Sequence, residues 1–304
     1  MDRVVIVTKP TRLAELVQQE LTEGAARFVL ESRGQSMRRY KEEASHYQAA
    51  LTELRRQVPN DLPVTFVRRE ELPHFLFRDN DLIIACGPDG LFANVAKYVG
   101  DQPIITVNPD PQTVAGQLML FSPREVGGIV ARVLAGEHQV ERLPFVKAAF
   151  DDDRVVWGIN DIFLGRSDQV SARYAITFGG RSETQSSSGI IVSTGVGSTG
   201  WMCSLVTMVK ALTGDGEAHR LAKLPAAASN ELVFAVREPF PSPVTGTTIV
   251  SGSIIPGRPL VVRSEMPEGG RIFSDGIVER ALDWDAGSKV TVSVGDRTVQ
   301  RVIG

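Results

Sequence analysis

The sequence predicts two domains: an α/β domain on a parallel sheet over residues 1–150, and a mainly β domain over 151–304. Two observations carry this. The first half alternates short apolar runs with helical segments, as βαβ units do. The second half alternates apolar and polar residues with period two, the mark of strands buried on one face.

The first unit opens with the buried-strand pattern of Arg3 to Val7, repeated at Asp81 to Cys86 and Pro103 to Val107. A short helical stretch, Leu91 to Val99, lies between the last two. Ligands of such sheets sit beyond the carboxyl ends of the strands. Residues 12 to 58 read as helices, and from Met37 the apolar positions Tyr40, Ala44, Tyr47, Leu51, Leu54 and Val58 keep a 3,4 spacing. This stripe suits a helix lying on its own sheet, with a subunit contact as the alternative. After Asp151, Asp152 and Asp153, read as a solvated turn, strands are expected at Val155 to Ile159, Ser171 to Phe178, Gly189 to Thr194, Glu231 to Val236 and Pro259 to Arg263. Lys289 to Val302 is expected to turn at Gly295 and Asp296, and a helix is expected over Trp201 to Leu212.

Composition narrows the function. The 304 residues are 42% hydrophobic and 23% charged, with a net charge of −3, and Lys and Arg are scattered rather than clustered. A nucleic-acid partner is therefore not expected. No apolar stretch approaches the ~20 residues of a membrane span, and no secretory signal layout opens the chain, so neither a membrane nor export is expected. Cys86 and Cys203 each sit in an apolar stretch, which suggests buried free thiols in the cytoplasm. His46, His74, His138 and His219 show no metal-ligand spacing with them, and no protein metal site is expected.

Five short motifs remain. Cys86-Gly87-Pro88-Asp89-Gly90 follows a buried strand and opens a helix. Its glycines allow close backbone approach and the helix N-terminus favours an anion such as phosphate. Asp89 suits the orientation and deprotonation of a hydroxyl, or help in holding Mg²⁺, and equally suits a helix cap. Thr194 to Trp201 contains a literal G-x-G-x-x-G at Gly195, Gly197 and Gly200. It comes too late in the chain for a dinucleotide turn, and Asp215 and Glu217 follow its helix too soon to be the expected ribose acid. A glycine turn capped by Ser198 or Thr199 is the plainer alternative. Asn160 and Asp161 offer an amide and a carboxylate to vicinal ribose hydroxyls, or form an Asx turn. Asn108 to Pro111 closes a parallel strand, and Ser274-Asp275-Gly276 reads as a hairpin turn to which the pattern assigns no chemistry. Walker A, H-E-x-x-H, G-x-S-x-G and C-x-x-C are absent, which leaves a phosphate site outside the P-loop type.

The order of these motifs resembles the NAD kinases. That family has G-G-D-G, then Asn-Glu, then a run like D-G-L-I-V-S-T-P-T-G-S-T, matched here by Gly87 to Gly90, Asn160-Asp161 and Ser188 to Thr199. Lys9 to Arg12, Val107 to Pro111 and Trp201 look like variants of the mitochondrial-type branch, as does the long helical insert. The resemblance implies a Rossmann-like parallel-sheet N-terminal domain, a β-rich C-terminal domain of NAD kinase type, a nucleotide cleft between them, and assembly as a dimer or higher homo-oligomer. It also implies roles. Asp89 takes the proton from the 2′-hydroxyl of the NAD adenosine ribose, while Gly87 and Gly90 leave room for phosphates and for Mg²⁺ brought with ATP. Asn160 and Asp161 bind ribose or base, Asn108 supports the same nucleotide, and Thr194, Gly195, Gly197, Ser198 and Thr199 line the cleft. Three positions depart from the pattern: Pro88 replaces a glycine and removes one N–H, Asp161 replaces Glu, and Leu91 replaces Thr. A related kinase acting on a lipid or sugar, a non-catalytic nucleotide-binding protein, and an oxidoreductase using the glycine-rich turn are the rival expectations.

Overall fold

The computed structural model describes residues 1–113, 116–213 and 224–304. Asp215, Glu217 and His219 lie outside them. The chain divides into two compact units, Met1–Glu141 with Gln300–Gly304, and Arg142–Val299. The first crossing falls inside a strand, at residue 141 rather than 150.

In the first unit, β1 (Arg3–Thr8), β2 (Val64–Arg68), β3 (Asp81–Cys86) and β4 (Pro103–Val107) form a parallel sheet in the order β2-β1-β3-β4. Gln300 and Arg301 extend it beside Pro103 and Ile104. Every residue of β3 and β4 is buried, because helices cover both faces of such a sheet and leave no solvent side for a polar alternation. At the opening edge, Arg3 donates to the buried Asp81 at 2.8 Å and 2.5 Å, which neutralises the one carboxylate enclosed there.

Helices α1 (Arg12–Glu20) and α2 (Glu23–Ser32) start at Thr11 and Thr22, whose hydroxyls accept the amides of Ala14 and Ala25. Helix α3 (Met37–Gln57) starts at Ser36 and ends at Val58, the residue before Pro59. Its stripe is covered within the unit. Leu54 and Val58, with Tyr47 and Leu51, pack on Val4, Ile6, Ile84 and Ile105, and Met37 and Tyr40 pack with Ala26 and Leu30 of α2. Helix α5 (Val126–Ala135) joins the same core. Helix α4 (Asp89–Ala96) buries all residues from Leu91 to Ala96.

The chain leaves this unit along β5 (Val140–Phe150) and returns along β16 (Lys289–Val302). The second unit packs two sheets over one core. One contains β8 (Ala172–Phe178), β9 (Arg181–Ser187) and β13 (Leu260–Ser264), with β16 beside β13 and β6 (Val155–Gly158) beside β5. The other has the order β12-β11-β10-β7-β14-β15, from Ser251–Ile254, Leu232–Val236, Ile190–Ser193, Asp161–Arg166, Gly270–Ser274 and Leu282–Asp283. Tyr174, Ile176, Val192, Phe234, Ile272 and Trp284 fill the space between them. On the outer face, Trp201 of α6 (Trp201–Thr213) stacks on Phe163 at 5.4 Å.

Two expectations are corrected. Gly295 and Asp296 do not turn, and β16 runs straight through them. A Cβ on Gly295 would sit 2.9 Å from the Phe145 carbonyl oxygen, so the glycine there serves a close approach of strands. Cys203 is exposed rather than buried, and only Cys86 is enclosed. Cys203 lies on the solvent side of α6, whose buried residues are Met202 and Val206.

Candidate functional site

In the first unit the site forms at the carboxyl ends of β3 and β4. Gly87 is buried and its N–H donates to the Val107 carbonyl at 3.1 Å, and a Cβ on it would sit 2.9 Å from Leu91 Cδ2. Gly87 therefore joins the two strands and packs on its own helix. Pro88, which has no N–H, is the cap of α4. The amides left to face an anion at this helix end are those of Asp89 and Gly90. Around Gly90 no atom lies within 4 Å of an added Cβ.

The Asp89 carboxylate is half-buried and does not cap its own helix. Oδ2 accepts the Gln117 amide and Oδ1 the Leu118 amide, each at 3.0 Å. Gly116 brings that segment close, since a Cβ there would lie 3.1 Å from Asn108 Nδ2 and 3.5 Å from Asp89 Oδ1. Asp89 and Asn108 are thus gathered around one backbone segment. Asn108 is 6% exposed, and its Oδ1 accepts the Asp110 amide at 3.0 Å, fixing the turn after β4.

Beside this cluster lies a cavity of about 750 Å³, between the strand ends and α3. Tyr47 holds its wall. Its hydroxyl donates to the Cys86 carbonyl at 2.9 Å and accepts the Lys9 amide at 3.0 Å, tying α3 to the ends of β1 and β3. Burial raises the Tyr47 pKa above its ordinary 10 and pushes the Cys86 thiol up to about 12. Asp110 is held below its ordinary 3.8, first by the Thr113 hydroxyl at 2.6 Å and also by His46 at 2.8 Å, with burial opposing.

In the second unit the candidate residues meet at the turn between β6 and β7. Asp275, with φ of 54°, accepts the amides of Ile159 at 3.1 Å, Asn160 at 2.7 Å and Asp161 at 3.3 Å. Its own N–H returns to the Asp161 carbonyl at 3.0 Å. Thr194 fixes the other side: its hydroxyl donates to the Ile159 carbonyl at 2.5 Å and accepts the Gly197 amide at 3.2 Å. The side chains of this turn differ in what they can do. Asp161 is 7% exposed. The Asn160 Oδ1 is buried with no hydrogen-bond partner among the described residues, the state of a group whose partner is a ligand or water.

The glycine-rich run has another role from the one the motif suggests. A Cβ on Gly195 would stand 1.9 Å from the Ala226 oxygen, and one on Gly197 would stand 2.0 Å from the Asn160 oxygen. These glycines admit other parts of the chain, and Thr194 is fully buried, so all three build the turn rather than expose a surface. Ser198 and Thr199 are the more exposed members, although their hydroxyls donate to the Gly195 and Val196 carbonyls at 2.6 Å and 3.4 Å. Sequence reasoning passed over Asp275 and the amides of Gln117 and Leu118. Asp275 left a trace in its Ser-Asp-Gly setting, but nothing in the sequence says which amides meet it.

No family model matches the chain. An NAD kinase of Bacteroides fragilis is 29% identical over 135 residues, 42% of this chain and 45% of that protein. The chain thus aligns with less than half the length of this relative. The mitochondrial NAD kinase 2 of Rattus norvegicus is 26% identical over 342 residues, covering 93% of this chain and 80% of the relative. Among solved structures, the yeast NADH kinase complexed with NADH superposes with a TM-score of 0.61 at 14% identity, over 99% of this chain and 83% of that one. The Archaeoglobus fulgidus NAD kinase in complex with ATP gives 0.56 at 18% identity, over 99% and 93%. The chain thus has the fold of these kinases, a Rossmann-like α/β unit followed by a β-rich one. In sequence it is similar to the NAD kinases, and its likeness to the mitochondrial relative runs through nearly its whole length.

Proposed function

We propose that this protein transfers the γ-phosphate of ATP to the 2′-hydroxyl of the NAD adenosine ribose, giving NADP and ADP. The observation that carries the reading is Asp89: a carboxylate at the end of β3, beside the first amides of α4, with each oxygen fixed by one backbone amide. Held this way it has one orientation and little freedom to lose on binding, which is the contribution expected where phosphoryl transfer is governed by positioning.

In the proposed reaction the 2′-oxygen forms a bond to the γ-phosphorus and the bond from that phosphorus to the β,γ-bridging oxygen breaks. The hydroxyl proton passes to Asp89, and ADP leaves with the electron pair. The amides of Asp89 and Gly90 would face the phosphates, and the open space about Gly90 leaves them room. Asn160, with its unpartnered oxygen, would accept a ribose hydroxyl or a base N–H.

Mg²⁺ is part of this proposal. In this reading the ion would be carried mainly by the phosphate oxygens of ATP and by water, and would neutralise charge on the transferring group. We further place the protein in the cytoplasm as a homodimer or higher oligomer. The unpaired cysteines support a reducing compartment, and the α3 stripe, being covered within its own unit, leaves a subunit contact to another surface.

The test is Asp89→Asn, assayed with ATP and NAD and read by an NADP-specific dehydrogenase. Turnover is expected to fall by roughly 10²- to 10⁴-fold with the fold retained. Wild-type turnover in the variant refutes the assignment.

A further inference from the structure

Thr106 is the one polar side chain of β4, a strand whose every residue is buried, and it is itself fully enclosed. Ile105 and Val107 turn into the core shared with α3 and α5, and alternation along the strand sets Thr106 on the opposite face. Valine has the shape of threonine and suits a buried strand better, because an enclosed hydroxyl costs stability unless it is hydrogen-bonded. This hydroxyl has a partner: Thr106 Oγ1 accepts the Leu120 amide at 3.1 Å.

Leu120 stands two residues beyond Leu118, whose amide, with that of Gln117, fixes the Asp89 carboxylate. Residues 116–120 belong to no helix or strand, so their place is set by what they are fastened to. At one end Asp89 accepts the consecutive amides of Gln117 and Leu118. At the other Thr106 accepts two more, that of Leu120 with its hydroxyl and that of Phe121 with its carbonyl at 3.0 Å. Asn108 adds a backbone bond, donating to the Phe121 carbonyl at 2.8 Å. The two backbone bonds form whatever side chain stands at position 106. Only the hydroxyl bond depends on that side chain, and it is the one nearest in sequence to the amides that hold Asp89.

We propose that Thr106 is a positioning residue for the phosphoryl transfer: its hydroxyl sets the 117–120 segment against β4, and the segment's amides aim the Asp89 carboxylate. The inference rests on the kinase reading for its effect on turnover, and its effect on the segment is measured without turnover.

The test compares Thr106→Val, which keeps the shape and removes the oxygen, with Thr106→Ser, which keeps the oxygen and removes a buried methyl. In assays with ATP and NAD, Thr106→Val is expected to lower kcat by about ten- to a hundredfold, the effect of misplacing a reacting group, and to leave both KM values unaltered. Thr106→Ser is expected to recover most of that kcat while being the less stable of the two in denaturant unfolding. Turnover that follows stability instead, with the valine variant the more active, overturns the proposal. Added to Asp89→Asn, Thr106→Val is expected to cause no further loss, since the two residues act as a unit. A further loss as large as in the wild-type background overturns action through Asp89. Hydrogen exchange supplies the readout without turnover: in Thr106→Val the amides of Gln117, Leu118 and Leu120 are expected to exchange roughly five- to tenfold faster, as the loss of one hydrogen bond allows, with those of β3 unchanged. Exchange as slow as the wild type's refutes the role. Faster exchange in a protein that never phosphorylates NAD upholds Thr106 as the anchor of the segment and removes the kinase reading.

Discussion

The Gly87–Gly90 turn of the first unit and the Gly195–Gly197 run of the second read alike in the sequence, each a glycine pair between a strand and a helix, and they pack differently. Gly87 lies against the Leu91 side chain of its own helix and Gly90 has open space around it, while Gly195 and Gly197 each lie against a backbone carbonyl of another segment. Glycine in such a position reports that something comes close to the backbone. In the first unit that place stands open to a ligand, and in the second the chain itself has taken it.

This contrast gives the largest expected effect on stability. Gly197→Ala sets a methyl 2.0 Å from the Asn160 oxygen and Gly195→Ala sets one 1.9 Å from the Ala226 oxygen. Backbone cannot step aside as a side chain does, so each is expected to cost about 3 kcal/mol or more in denaturant unfolding. Gly90→Ala is expected to leave stability unchanged or raise it by up to about 1 kcal/mol, while lowering turnover. Equal stability of the Gly197 and Gly90 variants would break the comparison.

Asp275→Asn sharpens it from the second unit. The carboxylate meets the amides of Ile159, Asn160 and Asp161, so the variant is expected to lose about 1–3 kcal/mol and to raise the KM for NAD more than it lowers kcat. An unaltered KM would show that the turn keeps its shape without this anion. In the first unit a pH-dependent contribution comes from Asp110, whose pKa is lowered below 3.8 chiefly by Thr113. A depressed carboxylate stabilises the fold above its unfolded pKa, and the contribution is lost as pH falls through the lowered folded value. Asp110→Asn is therefore expected to narrow the stability difference between about pH 6 and about pH 3, and a difference as wide as the wild type's would exclude the contribution. The smallest effect concerns the thiols. Exposed Cys203 is expected to react with a maleimide in the folded protein and Cys86, buried with its pKa near 12, only after unfolding.

Much of this was legible beforehand, and the residues show why. The βαβ alternation, the α3 stripe and the placing of Asp89 at a strand-to-helix turn follow from periodicity and from local chemistry, which sequence carries directly. The resemblance implies that Thr194 lines a cleft, and only the structure shows that its hydroxyl donates to the Ile159 carbonyl. An isolated Gly-Asp pair prefers a turn, but at Gly295 the neighbouring strand gives glycine a reason to stand in extended backbone. Asp275 went unassigned, being 114 residues from the Asp161 amide it accepts.

The sequence by itself determined the class of each unit, several of its strands and helices, and which short motifs stand at strand ends, because each of these depends on neighbours within a few residues. Tertiary structure alone decided that Asp89 is held by the amides of Gln117 and Leu118, that Asp275 shapes the Asn160 turn, and that α3 walls a cavity. Hydrogen bonds and close contacts between segments far apart in the chain depend on distances that no local pattern encodes.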